Sequence, residues 1–459
     1  MINLDFYKGK SFFVYGLGRT GISAVNALLK SNINVKSWDE KASSINLPDH
    51  IRNTLESPET TNWKNTDYLV LSPGVPLTFP EPHYIVNFAK SAGTTIYSDI
   101  EMLFHSQKKN KFIGITGTNG KSTTTSLTHY ILSHSKLDTQ IGGNIGIPVM
   151  DLNPFQRSGN FVLEMSSFQL DLLHDVKFNT AAILNVTKDH LDRHGNMDHY
   201  INAKTKIFDH QTMMDNAIFA IDNPITLNLY QNLPLKSYKV PVSSLNKNME
   251  FGVYVGEDHI QFNVHNHKGD IQFSQPKNLP GKHNRENIAV AFAIGMLYNL
   301  SPENILQAIN SFSPLPHRLE YLGQMLNMSF YNDSKSTNAE ASIAALSSFS
   351  NIYWILGGQP KEGGLEALRP YLSNVHKAYL IGSSQDEFAN FLKSEGVSYS
   401  KCGTLENAFT DAALDAKSDL KHANIVLSPA CASFDQFKSF EHRGEEFRRI
   451  FEYYNAQSL

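Results

Sequence analysis

Cysteine is nearly absent: Cys402 and Cys431 are the only two in 459 residues. That excludes a disulfide framework and argues against a zinc site built from thiolates. No charge sign dominates either. The 40 Lys and Arg face 44 Asp and Glu, for a formal net charge of -4, so no large single-sign field exists to hold a nucleic acid. Long apolar runs are missing: the longest, Ile288–Leu297, is about half of the roughly 20 residues a bilayer span requires. The opening MINLDFYKGKSFFVYG puts Asp5, Lys8 and Lys10 where a signal peptide needs an apolar run. No fixed repeat or low-complexity tract is present. What remains is 41% hydrophobic and 11% aromatic residues, the composition of a soluble globular protein, and a cytoplasmic address is expected. A single core stops growing at roughly 250–300 residues, so two or three domains are expected.

Three strand–glycine loop–helix patterns divide the chain. The first begins with the apolar run Ser11–Tyr15, then Gly16-Leu-Gly18-Arg-Thr-Gly21, then a helix with Ile22, Val25 and Leu28 on one face. Asn34–Trp38 and Asp67–Leu71 read as strands and Pro82–Ala92 as a helix, an alternation that predicts a parallel sheet covered by helices. A second unit takes over near Ser98, with strand Phe112–Ile115, a glycine loop, a helix to about His134, and strands Phe161–Met165 and Ala181–Val186. From about Ala217 to Phe273, alternating pieces such as Val253-Tyr-Val and Ile260-Gln-Phe predict a small antiparallel patch. A third unit starts near Pro314, with strands Ser329–Asn332, Ile352–Leu356, Ala378–Ile381 and Ile425–Leu427. The predicted fold is α/β in three domains: residues 1–97 Rossmann-like, 98–313 a P-loop ATPase-like parallel sheet with the antiparallel patch, and 314–459 Rossmann-like.

The strongest local signal is Gly117-Thr118-Asn119-Gly120-Lys121-Ser122 between an apolar strand and a helix. Glycines let backbone N–H groups crowd a phosphate, Lys121 neutralises its charge, and Ser122 offers an oxygen to Mg²⁺. The helix N-terminus adds favourable partial charge. Strict Walker A spacing places Gly at position 115, where this chain has Ile115; the plain alternative is a glycine-rich turn. Glu164 ends an otherwise apolar strand, at the edge where ligands bind in open α/β sheets, and is a candidate Mg²⁺ ligand. The stretch Asn185-Val-Thr-Lys-Asp189-His190-Leu-Asp192-Arg-His194 suits a zinc or iron site, a loop orienting Mg²⁺ near phosphate, or a plain polar turn, where Asp and His are common; the phosphate loop upstream favours Mg²⁺. Gly16-x-Gly18-x-x-Gly21, with Asp39 closing the second strand, matches the dinucleotide fingerprint, and a uridine diphosphate satisfies it as well as NAD does. Ser72-Pro-Gly74 ends the next strand and faces the same crevice. In the third unit, Asp333-Ser-Lys335-Ser-Thr337-Asn338, Gly357-Gly-Gln-Pro-Lys361 and Ser428-Pro-Ala-Cys-Ala-Ser433-Phe434 each follow a strand. Individually each reads as a capped helix start; together on one sheet edge they could hold an anionic substrate through lysines and hydroxyls.

At this point the chain resembles the Mur ligases, ATP-dependent amide-forming enzymes of peptidoglycan precursor synthesis. The resemblance rests on GTNGKST (Gly117–Thr123), GGNIG (Gly142–Gly146), LEMSSFQL (Leu163–Leu170), NVTKDHLDRHG (Asn185–Gly195), Ala203-Lys204, GKHNRENIAVA (Gly281–Ala291) and LPHRLE (Leu315–Glu320), in order along essentially the whole chain. NDSKSTN (Asn332–Asn338), LGGQPK (Leu356–Lys361) and LSPACASFDQFKSFEHRGEEF (Leu427–Phe447) resemble the branch that adds D-glutamate to UDP-MurNAc-L-alanine.

The resemblance implies that ATP activates the substrate carboxylate as an acyl phosphate, which the amine of D-glutamate then attacks. Splitting a poor acyl transfer into two easier steps is the chemical gain. By the same resemblance, Gly117, Thr118, Asn119, Gly120, Lys121, Ser122 and Thr123 hold ATP, with Asn284 near adenine and Arg318 and Asp333 near phosphates and ribose. Ser122, Glu164, His190 and a carbamylated Lys204 would ligate two Mg²⁺ ions; Lys121, Glu164, His190 and Lys204 form the catalytic set. Gly18, Arg19, Thr20, Asp39, Glu40, Lys41, Ser72, Gly74, Asn144 and His190 would meet the UDP-sugar, and Lys335, Thr337, Lys361, Ser433, Phe434 and Phe440 D-glutamate. The third domain is expected to close when nucleotide binds, excluding water from the acyl phosphate, and a monomer is expected. Competing readings are a nicotinamide-dependent dehydrogenase, which leaves the Gly117–Ser122 loop unexplained, a nucleotide switch without an acceptor, and a folate polyglutamate ligase, which lacks the N-terminal unit.

Overall fold

The computed structural model describes residues 1–44, 46–360, 364–419 and 421–457. They form two compact units, Met1–Phe273 with Glu286–Ile309, and Ser274–Arg285 with Asn310–Leu459.

The first unit holds two sheets. Strands β1 (Ser11–Tyr15), β2 (Asn34–Trp38), β3 (Tyr68–Leu71) and β4 (Thr95–Tyr97) lie in the order β2-β1-β3-β4, parallel throughout. The second sheet comprises β5 (Lys111–Thr116), β6 (Thr139–Gly143), β7 (Asn160–Glu164), β8 (Thr180–Ile183), β9 (Asn216–Ala220), β10 (Tyr238–Ser243), β11 (Gly252–Val255), β12 (His259–Val264) and β13 (His267–Gln272). Its order is β13-β12-β11-β10-β9-β8-β5-β7-β6. Strands β5, β7 and β8 are nearly uniformly apolar because helices cover both faces of a parallel sheet; every residue of β7 and β8 is buried.

The stretch from Ala217 to Phe273 contains the expected antiparallel patch, formed by the strands that carry Val253-Tyr-Val and Ile260-Gln-Phe, and the patch is smaller than the stretch. Strands β9, β10 and β11 continue the parallel sheet, and antiparallel pairing is confined to β11, β12 and β13. The alternation is real, since β12 buries every second residue. Period two marks a strand with one wet face, however, and carries no information about its direction.

The second unit is built on β14 (Glu320–Met325), β15 (Met328–Asn332), β16 (Ile352–Gly357), β17 (Val375–Ile381), β18 (Tyr399–Gly403) and β19 (Ala423–Leu427), in the order β14-β15-β19-β16-β17-β18. Only the edge strand β14 is antiparallel. Trp354 on β16 is fully buried and donates its indole N–H to the Ser428 carbonyl at 2.8 Å. Burying such a ring contributes on the order of 2–3 kcal/mol, and here its polar edge also pins a loop. Because β15, β19 and β16 are neighbours, the loops after them, starting at Asp333, Ser428 and Gly358, leave one edge of the sheet side by side. Among the described residues no helix is long and apolar enough to cross a membrane.

Candidate active site

The phosphate loop leaves β5 and enters the helix Lys121–His134. Gly120 caps that helix with φ 82°, and a Cβ there would lie 2.4 Å from Asn287 Oδ1, so only glycine fits. Asn287 Oδ1 in turn accepts from Thr124 Oγ1 at 3.0 Å. The loop is braced from β8: Thr118 N–H donates to Asn185 O at 2.8 Å and Asn119 N–H to Asn185 Oδ1 at 2.8 Å. Behind Asn185, burial pushes the Glu286 carboxyl up to about 8, helped by Asp222 and opposed by its bond to Asn185.

Two lysines converge on this loop. Lys121 Nζ folds back onto the Gly117 and Thr118 carbonyls at 2.9 and 2.7 Å. Lys204 Nζ donates to the same Gly117 oxygen at 2.8 Å and lies 4.7 Å from the centre of the Tyr200 ring. Lys204 is only 1% exposed. Burial holds its ammonium well below the ordinary lysine range, and the charge of Lys121 adds to the effect, while Asp189 and Glu164 oppose it. The sequence shows Lys204 as a plain helix lysine; the fold buries its amine and so disfavours the charged form.

Glu164 ends β7 beside the loop, paired in register with Ile115 of β5. It is 2% exposed; Oε1 accepts from Asn144 Nδ2 at 2.7 Å, while the buried Oε2 has no hydrogen-bond partner. A buried carboxylate oxygen left unsatisfied is costly unless a cation meets it. The donor set therefore fits a hard divalent ion. His190 stands in the left-handed region at φ 53°, its N–H bonded to Asp189 Oδ1 at 2.9 Å, and its ring is about half exposed. His194 does not join it: it is buried, bonds Ser167 Oγ at 3.0 Å and stacks on Phe168. Burial lowers its pKa, which suits a neutral packing role.

In the first sheet, Gly21 packs against the loop so closely that a Cβ would sit 1.9 Å from Gly16 O. Asp39 spends both carboxylate oxygens on this loop and the next, accepting from Leu17 N–H at 2.7 Å and Lys41 N–H at 2.8 Å. Ser72 Oγ donates to Gly16 O at 2.9 Å, Glu40 accepts from Tyr15 OH at 3.1 Å, and Arg19 Nη2 donates to Gly146 O at 2.8 Å. Gly18 caps the following helix, which opens with Arg19 and Thr20.

In the second unit, Asp333 is buried and its carboxyl is pushed up to about 6 by burial. It accepts from Leu319 N–H, Ser336 Oγ and Ser428 Oγ at 3.1, 2.6 and 2.8 Å. Its coulombic partner is Arg318. Lys335 Nζ lies over the Phe440 ring, 4.0 Å from its centre. Ser433 is buried and Phe434 is 70% exposed, an aromatic face open to a ligand. Thr337 is partly buried; Lys361 lies outside the described residues. Asn284 donates to Pro280 O at 2.7 Å.

Sequence reasoning missed Arg443. Fully buried, it donates to Ser334 Oγ and to the carbonyls of Ser334, Cys431, Gly357 and Ala432 at 3.0–3.4 Å, tying all three polar loops together. Asn287 was missed too, although a second asparagine one helical turn beyond Asn284 is a visible signal.

A phosphate loop, a buried amine behind it and an unsatisfied carboxylate at the next strand end define a nucleotide-using α/β enzyme. The chain belongs to the Mur ligases: the Mur ligase middle domain matches residues 115–295, and the Mur ligase MurD-like N-terminal domain matches residues 10–98. It is 41% identical to the UDP-N-acetylmuramoylalanine--D-glutamate ligase of Rickettsia bellii, over 99% of this chain and 100% of that one. It is 40% identical to the protein of the same name from Rickettsia prowazekii, over 97% and 99%. Among solved structures, UDP-N-acetylmuramate-alanine ligase MurC from Thermotoga maritima aligns over 96% of this chain and 99% of its own, with TM-score 0.58 at 16% identity. MurF from Acinetobacter baumannii aligns over 80% and 88%, with TM-score 0.56 at 16% identity. These two share the fold.

Proposed function

We propose that this protein joins UDP-N-acetylmuramoyl-L-alanine to D-glutamate, using ATP, in peptidoglycan precursor synthesis. The observation that carries the reading is the similarity at about 40% identity, over nearly the full length, to ligases of that name. The convergence of Lys121 and Lys204 on Gly117 beside Glu164 supports it. A substrate carboxylate oxygen bonds the γ-phosphorus, the bond to the β,γ-bridging oxygen breaks, and ADP leaves. The free amine of D-glutamate then attacks the acyl carbon; phosphate is expelled and the amine loses its proton.

Each step asks something of this chain. The backbone N–H groups of Gly117–Ser122 and the helix N-terminus hold phosphate oxygens, and Lys121, released from its carbonyls, meets the charge that develops on them. Ser122, Glu164 and His190 would hold Mg²⁺, two ions in all, which supplies charge neutralisation to the phosphates. Lys204, whose pKa burial lowers, would take up CO₂ at Nζ with loss of a proton, and the carbamate would be a further ligand for the ions. Gly18, Arg19, Thr20, Glu40, Lys41, Ser72, Gly74 and Asn144 receive the UDP-sugar, with Asp39 holding their loops. Lys335, Thr337, Ser433, Phe434 and Phe440 receive D-glutamate. The reaction is assigned to the cytoplasm and to a monomer of three domains, at residues 1–97, 98–313 and 314–459.

Phosphate release with UDP-MurNAc-L-alanine, ATP and a panel of amino acids tests this. Release confined to D-glutamate is expected. Equal release with L-alanine or a diamino acid overturns the assignment.

A further inference from the structure

Arg193 sits in the turn after β8, three residues beyond His190 and next to the buried His194. Its guanidinium leaves that turn. Nη1 donates to the Gly74 carbonyl at 2.7 Å and Nη2 reaches the Pro73 carbonyl at 3.5 Å. The face of the cation lies over the Phe168 ring, 4.8 Å from its centre. That same ring stands 4.9 Å from the His190 ring and stacks on His194 at 5.5 Å. One side chain thus bonds the backbone of the Ser72–Gly74 turn and shares an aromatic wall with His190.

The turn is held from its other side as well. Ser72 Oγ donates to Gly16 O at 2.9 Å and Ser72 N–H to Tyr15 O at 3.0 Å. Those bonds fix the turn to β1, and Arg193 bonds the same turn from the side of the His190 loop. It is partly buried, and burial lowers its pKa against the opposing charges of Asp192 and Asp171. A guanidinium stays charged through such a change. Charge-assisted donation to a backbone carbonyl is among the stronger hydrogen bonds, and the flat cation on Phe168 adds a cation–π contact.

We propose that Arg193 is a positioning residue for the UDP-sugar substrate, a spacer that sets the Ser72–Gly74 turn at a fixed distance from His190. The inference rests on the function proposed above, in which that turn receives the UDP-sugar and His190 stands at its reacting end. A substrate anchored at one end and reacting at the other needs both ends in register, because a displacement of about 1 Å at the reacting centre costs on the order of a hundredfold in rate.

Steady-state kinetics of Arg193→Met and Arg193→Lys, with each of the three substrates varied in turn, test this. Methionine keeps an apolar chain and loses both the cation over Phe168 and the donors; lysine keeps the charge and a single donor nitrogen. In Arg193→Met the KM for UDP-MurNAc-L-alanine is expected to rise about tenfold or more, as the loss of a charge-assisted hydrogen bond predicts. Lysine restores part of it. The KM values for ATP and D-glutamate stay within about twofold, and the melting temperature stays near that of the wild type. A UDP-sugar KM unchanged in Arg193→Met overturns the proposal. So does an equal rise in all three KM values together with a fall in melting temperature, which marks a structural staple. Wild-type turnover separates the two readings: if it is absent, the proposed function fails and Arg193's role with it. Turnover with an unchanged variant KM defeats only the role of Arg193.

Discussion

Lys121 and Lys204 donate to one oxygen, the Gly117 carbonyl, at 2.9 and 2.8 Å. Burial, and after it the charge of Lys121, lower the pKa of Lys204 and favour its neutral form. Lys204→Met removes that amine. Activity is expected to fall at least about a hundredfold, as loss of a metal-holding group does. Stability in bicarbonate-free buffer moves the other way, because a protonated buried lysine is penalised in the folded state. The penalty is complete below the folded pKa and disappears as pH rises toward the unfolded value of about 10.4. Thermal melts of wild type and variant should therefore converge near pH 10 and separate, in favour of the variant, as pH falls from there.

Glu164 Oε2 is a buried carboxyl oxygen with no hydrogen-bond partner. Glu164→Gln keeps an acceptor for Asn144 Nδ2 and withdraws the charge. The Mg²⁺ concentration for half-maximal ADP release should rise about tenfold to a hundredfold. An unchanged Mg²⁺ titration would remove Glu164 from the metal site.

A methyl group at residue 21 has nowhere to go, with Gly16 O only 1.9 Å from its position. Gly21→Ala should therefore push the Gly16–Gly21 loop open and weaken binding of the UDP-sugar by about tenfold or more. Binding of ATP, which the proposed function assigns to the second sheet, should be unaffected. Calorimetry with each ligand separately measures both.

Asp99 is 4% exposed, its Oδ1 has no partner, and burial pushes its carboxyl up to about 6. A carboxyl with a raised folded pKa costs stability once ionised. The cost is absent below the unfolded value near 3.9, grows as pH rises through the folded value near 6, and is complete above it. Asp99→Asn should gain up to about 3 kcal/mol at pH 7.5, and the gain should vanish below about pH 4. Urea unfolding at several pH values checks both.

Arg443 gathers five hydrogen bonds from three loops. Arg443→Met leaves buried carbonyls without donors and should cost about 3 kcal/mol or more in urea unfolding. A loss below about 0.5 kcal/mol, the range of exposed-site changes, would count against its place at the centre of that edge.

Local chemistry was legible wherever it is written in consecutive residues. The Gly117–Ser122 loop, Glu164 at its strand end, and the Asp333 and Ser428 loops all follow from strand periodicity, glycine and charge. Their convergence was legible only as an expectation, since the neighbour relations β8-β5-β7 and β15-β19-β16 depend on pairing between distant strands. Arg193 and Gly74 are 119 residues apart, and no spacing rule connects them. The 217–273 stretch shows the same limit within one sheet: alternation revealed the wet face of β12 but not which way its neighbours run.

By itself the sequence determined the elements and their punctuation: where strands end, where glycine alone fits, and which side chains carry charge at those ends. Those properties depend on neighbours within a few residues. Tertiary structure alone decided what the charges do. Lys204 is an ordinary helix lysine until burial and Lys121 depress its pKa, and Glu164 is an ordinary strand-end acid until one oxygen is buried without a partner. Desolvation is a property of the surroundings, and the surroundings come from parts of the chain that meet only on folding.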